Sequence, residues 1–106
     1  MTMTSPIRVW LGDVRDAPDG WTRAYTAHEA IELLEASDVV EISLDHDLGD
    51  DEMHGTGYDV ACWIEERVTD GFEPPTIKIH SANSVGRQRM QRAIDSIERL
   101  RHARRP

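Results

Sequence analysis

The chain has little cysteine and little positive charge, and each shortage excludes some structural or functional features. Cys62 is the only cysteine among the 106 residues, so no internal disulfide can form. It lies on the apolar side of a predicted helix, which favours a buried small side chain over a nucleophile. Lysine and arginine number 12 against 20 Asp and Glu, and the formal net charge is −8.

The positive charge that is present lies at one end of the chain. Residues 1–86 hold five Lys and Arg against 18 acids (5 − 18 = −13), and residues 87–106 hold seven Arg against two acids (7 − 2 = +5). The arginine-rich final helix could contact a polyanion. A solvated helix face, with cations favourably placed near its C-terminus, explains the same pattern.

Long apolar segments are also missing. No run approaches the roughly 20 residues of a membrane span, and no basic segment followed by an apolar one opens the chain. We therefore expect a cytoplasmic protein that does not associate with membranes. Its length predicts one domain over residues 1–106, with flexible ends at about 1–5 and 102–106.

Strand-like and helix-like segments alternate and predict an α/β layered domain with a mainly parallel, four-stranded sheet. The predicted order is strand 7–11, short strand 21–25, a helix capped at Thr26, strand 39–44, a loop over 46–56, a helix starting at Thr56 or Gly57, strand 76–79, and a long helix with Ser84 as its N-cap. Such a sheet leaves strand 76–79 or strand 21–25 at an exposed edge, which makes a homodimer possible.

Polar side chains follow three of the predicted strands at the points where the strands end. Asp13 follows the first, the segment Asp45-His46-Asp47 follows the third, and His80-Ser81-Ala82-Asn83 follows the fourth. Open α/β sheets bind ligands at the carboxyl ends of their strands. If the strands are parallel neighbours, these side chains converge on one site.

The residue types at these ends suit phosphoester chemistry. Asp13, Asp45 and Asp47 are oxygen ligands for Mg²⁺ or Mn²⁺. The candidate catalytic residues are His46, His80 and Asp45. The two histidines are the candidate acid and base, because imidazole titrates near neutral pH. Candidate substrate-binding residues are Arg15 as a phosphate clamp, with Ser81 and Asn83 as hydrogen-bonding groups, beside the amides that open the final helix.

Each of these residues also has an ordinary structural explanation. Asp45 and Asp47 are typical turn and cap residues, and His80 could be a buried, hydrogen-bonded side chain. If the backbone stays extended, His46 faces the opposite side of the sheet from Asp45, so its place in the site requires a bend. A zinc site built from the two histidines is a weaker rival. The tryptophans Trp10, Trp21 and Trp63 are more typical of a core than of base stacking.

The order of these motifs resembles a response-regulator receiver domain, which has a flavodoxin-like fold, over roughly residues 7–100. The resemblance implies that this chain is a truncated form of that fold. The chain departs from the receiver pattern in three places. It lacks a helix between the first two strands, it lacks the fifth strand together with the lysine that this strand carries, and it lacks the fifth helix. A closer resemblance is to a divergent branch, the cyclic-phosphate-processing receiver-like domains. That branch shares Leu44-Asp45-His46-Asp47-Leu48-Gly49, then Thr56-Gly57-Tyr58-Asp59-Val60 with Trp63 nearby, and His80-Ser81-Ala82-Asn83 followed by Gly86.

The resemblance implies an enzyme that processes a cyclic phosphate on a nucleotide or an RNA end. Three hypotheses follow: a metal-assisted phosphoesterase, a non-catalytic receiver-like module that binds a phosphate, a nucleotide or a protein partner, and a phosphoacceptor switch that uses Asp45. The missing fifth strand and its lysine disfavour the switch.

Overall fold

A computed structural model describes residues 5–12, 17–49 and 51–103 of the chain, the side chain of residue 51 excepted. Its elements are β1 (Ile7–Leu11), β2 (Thr22–Ala24), α1 (Ala27–Ala36), β3 (Val39–Leu44), α2 (Asp51–His54), α3 (Gly57–Thr69), β4 (Thr76–Ile79) and α4 (Ser84–Ala103). No helix in this part of the chain is long and apolar enough to cross a membrane.

The four strands form one sheet in the order β2-β1-β3-β4, and every neighbouring pair is parallel. The predicted four-stranded α/β architecture is confirmed, with no fifth strand among the described residues. Both strands expected as candidates for an exposed edge, β2 and β4, are edges. The order also brings the carboxyl ends of β1, β3 and β4 together, as a shared site at those ends requires.

The helices lie on one face of the sheet. Helix α3 packs against both α1 and α4, and the strand residues that face them alternate with residues on the opposite face of the sheet. Val9, Leu11, Ile42 and Leu44 are fully buried in this layer. The chain moves from β2 to β3 and then to β4 in the same direction across the sheet, so right-handed crossovers put both connecting helices on the same side.

The opposite face of the sheet, which we call the open face, has no helix over it in the described part of the chain. Its side chains are polar, charged or aromatic, namely Arg8, Trp10, Arg23, Glu41, Ser43 and Lys78. Glu41 lies between Arg8 and Lys78 and forms ion pairs with both, at 3.2 and 2.8 Å. The Lys78 hydrogen bond, followed by the charges of Lys78 and Arg8, lowers the pKa of the Glu41 carboxyl.

Local sequence signals explain most helix boundaries. Thr56 and Asp59 form a complete capping box at the start of α3, with the Asp59 amide donating to Thr56 Oγ1 and the Thr56 amide donating to Asp59 Oδ2. Thr26 caps α1 as predicted. The prediction for α4 was wrong by one residue. Asn83 is the N-cap, because its Oδ1 accepts from the Gly86 amide at 2.9 Å, and Ser84 is already helical.

Two further expectations need correction. The loop predicted over 46–56 contains the short helix α2, and His54, which follows Leu48 in this segment, makes a 2.8 Å hydrogen bond from Nδ1 to the Leu48 carbonyl. Of the three tryptophans, only Trp63 packs against the helix-covered core. Trp10 lies on the open face, where it contacts Trp21 edge-on with ring centroids 5.8 Å apart.

Candidate active site

Three residues form a row at the carboxyl edge of the sheet, one directly after each of β1, β3 and β4. They are Gly12, Asp45 and His80, and backbone hydrogen bonds continue the sheet through them. The Asp45 amide donates to the Leu11 carbonyl at 3.1 Å, and the His80 amide donates to the Leu44 carbonyl at 3.0 Å. Since side chains alternate along a strand, all three residues face the open side of the sheet.

The imidazole of His80 is held on two sides. Its Nδ1 lies 2.7 Å from Oγ of Ser43, a side chain only 4% exposed. Its ring stacks on Trp10 with centroids 3.8 Å apart and planes 8° from parallel. A ring fixed by one edge and one face keeps a defined direction for its remaining nitrogen.

The remaining nitrogen of His80 faces Gly12 and Asp45. A Cβ placed on Gly12 would lie 3.4 Å from His80 Nε2, 3.5 Å from Trp10 Nε1 and 3.9 Å from Asp45 Cβ. The absence of a side chain at position 12 therefore lets the ring nitrogens of His80 and Trp10 and the Cβ of Asp45 come close to one point. Trp10 Nε1 is buried there without a hydrogen-bond partner among the described residues.

A second polar cluster lies beside this row, at the start of α4. His46 Nδ1 is 2.9 Å from Asp47 Oδ1, and Asn83 Nδ2 donates to both oxygens of Asp47 at 3.2 and 3.3 Å. The carboxylate can only accept, so the Nδ1 proton of His46 must point at it. The hydrogen bond from His46, with a smaller effect from Asn83, lowers the pKa of Asp47.

Gly86 determines where the His46 ring goes. The ring packs directly on the Cα of Gly86, so closely that a Cβ there would overlap His46 Cγ and lie 2.7 Å from its Cδ2. His46 is only 12% exposed and lies on the helix side of the sheet edge. Asp45 and His46 therefore face opposite sides of the edge, and the bend that the predicted site required to bring His46 beside Asp45 does not occur.

Ser81 and Asn83 shape the turn between β4 and α4. Ser81 is buried, and its Oγ accepts the Asn83 amide at 3.1 Å. The Gly86 amide, one of those expected to hold an anion at the start of α4, already donates to Asn83 Oδ1. In the conformation described, these groups are bonded to one another, so a bound anion would have to replace some of these contacts.

Not every predicted site residue can be located. Asp13 and Arg15 lie outside the described residues. Asp45 and His80 are brought to one point beside Gly12, whereas His46, Asp47 and Asn83 form the adjacent cluster at α4. Within residues 5–12, 17–49 and 51–103, no three His, Cys, Asp or Glu side chains are grouped closely enough to hold a metal ion.

Sequence reasoning missed two residues that hold the His80 ring. Ser43 is a polar residue inside an apolar strand, two positions before Asp45, and this alternation puts both on the same face. Trp10 likewise stands two positions before Gly12, so it faces the same side of the sheet. The signal for Ser43 was therefore present in the sequence, but its partner could be identified only once the register of β3 and β4 was known.

The parallel sheet, the Asp45 turn and the polar segment after β4 together define a receiver-like α/β domain. The chain matches the family described as "Cyclic-phosphate processing Receiver domain" over residues 7–96, and it belongs to that family. This match confirms the resemblance inferred from the motifs. The corresponding comparisons with curated proteins and with solved structures give no match.

Proposed function

We propose that this protein is a metal-assisted phosphoesterase that opens a cyclic phosphate on a nucleotide or an RNA end. The observation that carries the proposal is the orientation of His80 in a member of this family. Its ring is clamped by Ser43 and Trp10 with Nε2 directed at the point beside Gly12 that Asp45 also approaches.

The reaction requires few groups. A water oxygen bonds to phosphorus, one ring P–O bond breaks, and the departing oxygen takes up a proton, which leaves a phosphomonoester. His80 Nε2 is the group that removes the water proton or supplies the proton to the departing oxygen. The unpartnered Trp10 Nε1 donor beside the same point would favour an oxygen acceptor there, because a buried N–H without a partner is costly.

A hard divalent cation fits the type of donor available here. Mg²⁺ keeps several water molecules and commonly uses only one or two carboxylates. Asp45 would supply one, and Asp13, the residue after Gly12 in the sequence, is the candidate for the second. A cation held there would neutralise charge on the phosphate oxygens and lower the pKa of a bound water. Asp47 was predicted as a third ligand, but its carboxylate is bonded to His46 and Asn83.

The cluster at α4 would bind and orient rather than transfer protons. Asn83 and Ser81 are the proposed substrate-binding groups, and they would exchange hydrogen bonds with Asp47 and with each other for bonds to phosphate oxygens. Arg15 is retained as the proposed cationic clamp. His46 remains a candidate second proton carrier, although its ring is packed against Gly86 on the helix side.

The proposal is tested with 2′,3′-cyclic nucleotides and a short RNA ending in a 2′,3′-cyclic phosphate, followed by ³¹P NMR. We expect turnover with added Mg²⁺ or Mn²⁺, little turnover after chelation, and loss of turnover in Asp45→Asn. Asp70→Asn is the matched control and should behave like the wild type, because Asp70 is exposed and caps the C-terminus of α3 through its backbone amide, not its carboxylate.

Each other outcome identifies a different function. Saturable binding of the cyclic phosphate without any turnover would favour the non-catalytic receiver-like module. Covalent labelling of Asp45 by acetyl phosphate would favour the phosphoacceptor switch. Turnover that survives both chelation and Asp45→Asn would contradict the proposed role of the metal.

Ser43→Ala tests whether the hydroxyl positions His80. We expect kcat to fall about tenfold, the effect of losing one hydrogen bond of about 1.4 kcal/mol, with little change in KM. Ser43→Thr, which keeps the hydroxyl, should restore most of kcat. ¹⁵N chemical shifts should show one predominant His80 tautomer in the wild type and a mixture in Ser43→Ala. Unchanged tautomer signals and unchanged kcat would show that Ser43 only fills space.

A further inference from the structure

A continuous groove runs along the outer side of the edge strand β4. It consists of two cavities, of about 520 and 430 Å³. The first lies between β4 and α4, and the second continues past the start of β4, where residues 38–40 and 73–75 also line it. Ile77 and Ile94 line both cavities, so they mark the middle of the groove. Both side chains are only half-buried, although Ile77 also packs against the core.

The backbone along the groove can pair with another strand. The His80 amide bonds to Leu44 of β3, and Ile79 is the register partner of Leu44. In a parallel ladder, this pattern directs the N–H and C=O groups of Ile77 and Ile79 away from β3. Because β4 is the last strand in the sheet, these groups point into the groove. An edge of this kind is a template for strand addition.

The two ends of the groove carry opposite charge. Lys78 and Arg87 line the end near the carboxyl terminus of β4. The other end is lined by Asp38, Glu73 and Glu98 with one cation, Arg101, which pairs with both glutamates at 3.1 and 3.7 Å. A symmetric partner, rotated by half a turn about the middle of the groove, would put each charged end against its opposite.

From these three features we propose that the groove is a homodimer interface, in which β4 pairs antiparallel with β4 of a second copy. The two-fold axis passes by Ile77 and Ile94, the two residues shared by both cavities. Such an interface is self-complementary, as a two-fold dimer requires. It extends the sheet from four strands to eight.

The side chains select one register for the strand pair. With Ile77 opposite its own copy, Ile77 exchanges two backbone hydrogen bonds with Ile77 of the second copy, and each Ile79 amide reaches the Pro75 carbonyl. Lys78 then faces Thr76. The neighbouring register, centred on Lys78, would put two lysines directly opposite each other, which is unfavourable.

Helix α4 supports the same axis. Its groove-facing residues follow spacings of four and three along the helix, and they are Arg87, Gln91, Ile94, Glu98 and Arg101. Two such helices packed antiparallel about Ile94 bring Ile94 against its copy. They put Arg87 level with Arg101 of the other chain and about one helical turn from its Glu98. The interface therefore combines an apolar centre with two equivalent peripheral regions, in each of which Arg87 of one copy faces the net-negative end of the groove of the other.

The experiment measures mass by light scattering and sedimentation over the micromolar range. We expect the wild-type chain to be a dimer. Arg87→Glu should raise the dimer dissociation constant about tenfold or more, because it places a new acid against the net-negative end of the other copy's groove at two equivalent positions. The double variant R87E/E98R lowers the negative charge of that facing end and should restore part of the affinity. Arg92→Glu makes the same change in α4 outside the groove, beside Tyr58 and Glu65, and should leave the dimer intact.

Ile94→Gln provides a second, independent variant at the centre of the interface. It should give a monomer whose circular dichroism spectrum matches that of the wild type. A wild-type chain that is monomeric throughout the range overturns the proposal, and so does a dimer that neither Arg87→Glu nor Ile94→Gln weakens. The antiparallel arrangement keeps the two strand-end sites apart, so cyclic-phosphate turnover should be the same in the monomeric variants, and the two proposals fail separately.

Discussion

Replacing His80 by alanine should lower kcat for a 2′,3′-cyclic nucleotide by about 10²- to 10⁴-fold, the usual contribution of a positioned acid or base. His80→Gln should be almost as inactive, because glutamine keeps a polar side chain but cannot carry the proton. The fall should appear in kcat more than in KM, since the group acts on the bond changes rather than on binding. Single-turnover rates, followed by ³¹P NMR or by chromatography of the products, provide the measurement.

Two histidine variants serve as controls for this prediction. His28 is on an exposed face of α1, where it pairs with Glu32 at 3.0 Å, and His28→Ala should leave kcat unchanged. His46→Ala distinguishes the two candidate proton carriers. If His46→Ala removes activity and His80→Ala does not, the catalytic group lies at the start of α4, and the role proposed for His80 is wrong.

Gly57→Ala should destabilise the fold by about 1–3 kcal/mol, the usual cost of an added methyl group in a filled space. A Cβ at this position would overlap the carbonyl oxygen of Asp45 and lie 2.9 Å from Met90 Sδ. Alanine is the better helix former by about 0.5–1 kcal/mol, but that gain is smaller than the cost of displacing a backbone group. Urea unfolding followed by circular dichroism measures the difference.

The same substitution should also disturb the site. The Asp45 carbonyl that a Cβ at position 57 displaces belongs to the residue proposed to bind the metal, so we expect reduced turnover under conditions in which the variant is still folded. Glu66→Ala, at an exposed position in the same helix, is the control for helix propensity. A Gly57→Ala protein as stable as the wild type would show that the start of α3 can shift away from β3 without cost.

Local chemistry in the sequence was sufficient for most of the fold. Strands β1, β3 and β4 were predicted with their observed bounds, and α3 begins at one of the two residues named for it. These elements have strong local signals, namely short β-branched runs and a capping box. Where the signal was weak, the prediction was less accurate. Strand β2 is shorter than expected, α2 was missed, and Asn83 was not distinguished from Ser84 as the cap of α4.

The candidate site was only partly predictable for a different reason. His46 was included in the site on the expectation that the chain bends after Asp45. The two side chains instead face opposite sides of the edge, as alternation along an extended strand requires. No local pattern could show that the His46 ring packs on Gly86, since that contact joins residues 40 positions apart. The contact of Ser43 with His80 likewise depends on the pairing of β3 with β4.

The sequence by itself determined the order of the four strands and the three longer helices, the acidic turn after β3 and the family to which the chain belongs. These features depend on propensity, caps and contiguous motifs. The tertiary structure decided which face of the sheet has no helix over it and which ring stacks on His80. It also decided that the β4 edge lies beside a groove with oppositely charged ends. Those properties depend on the register and order of the strands, and such long-range pairing is set by the packing of the whole core rather than by any single segment.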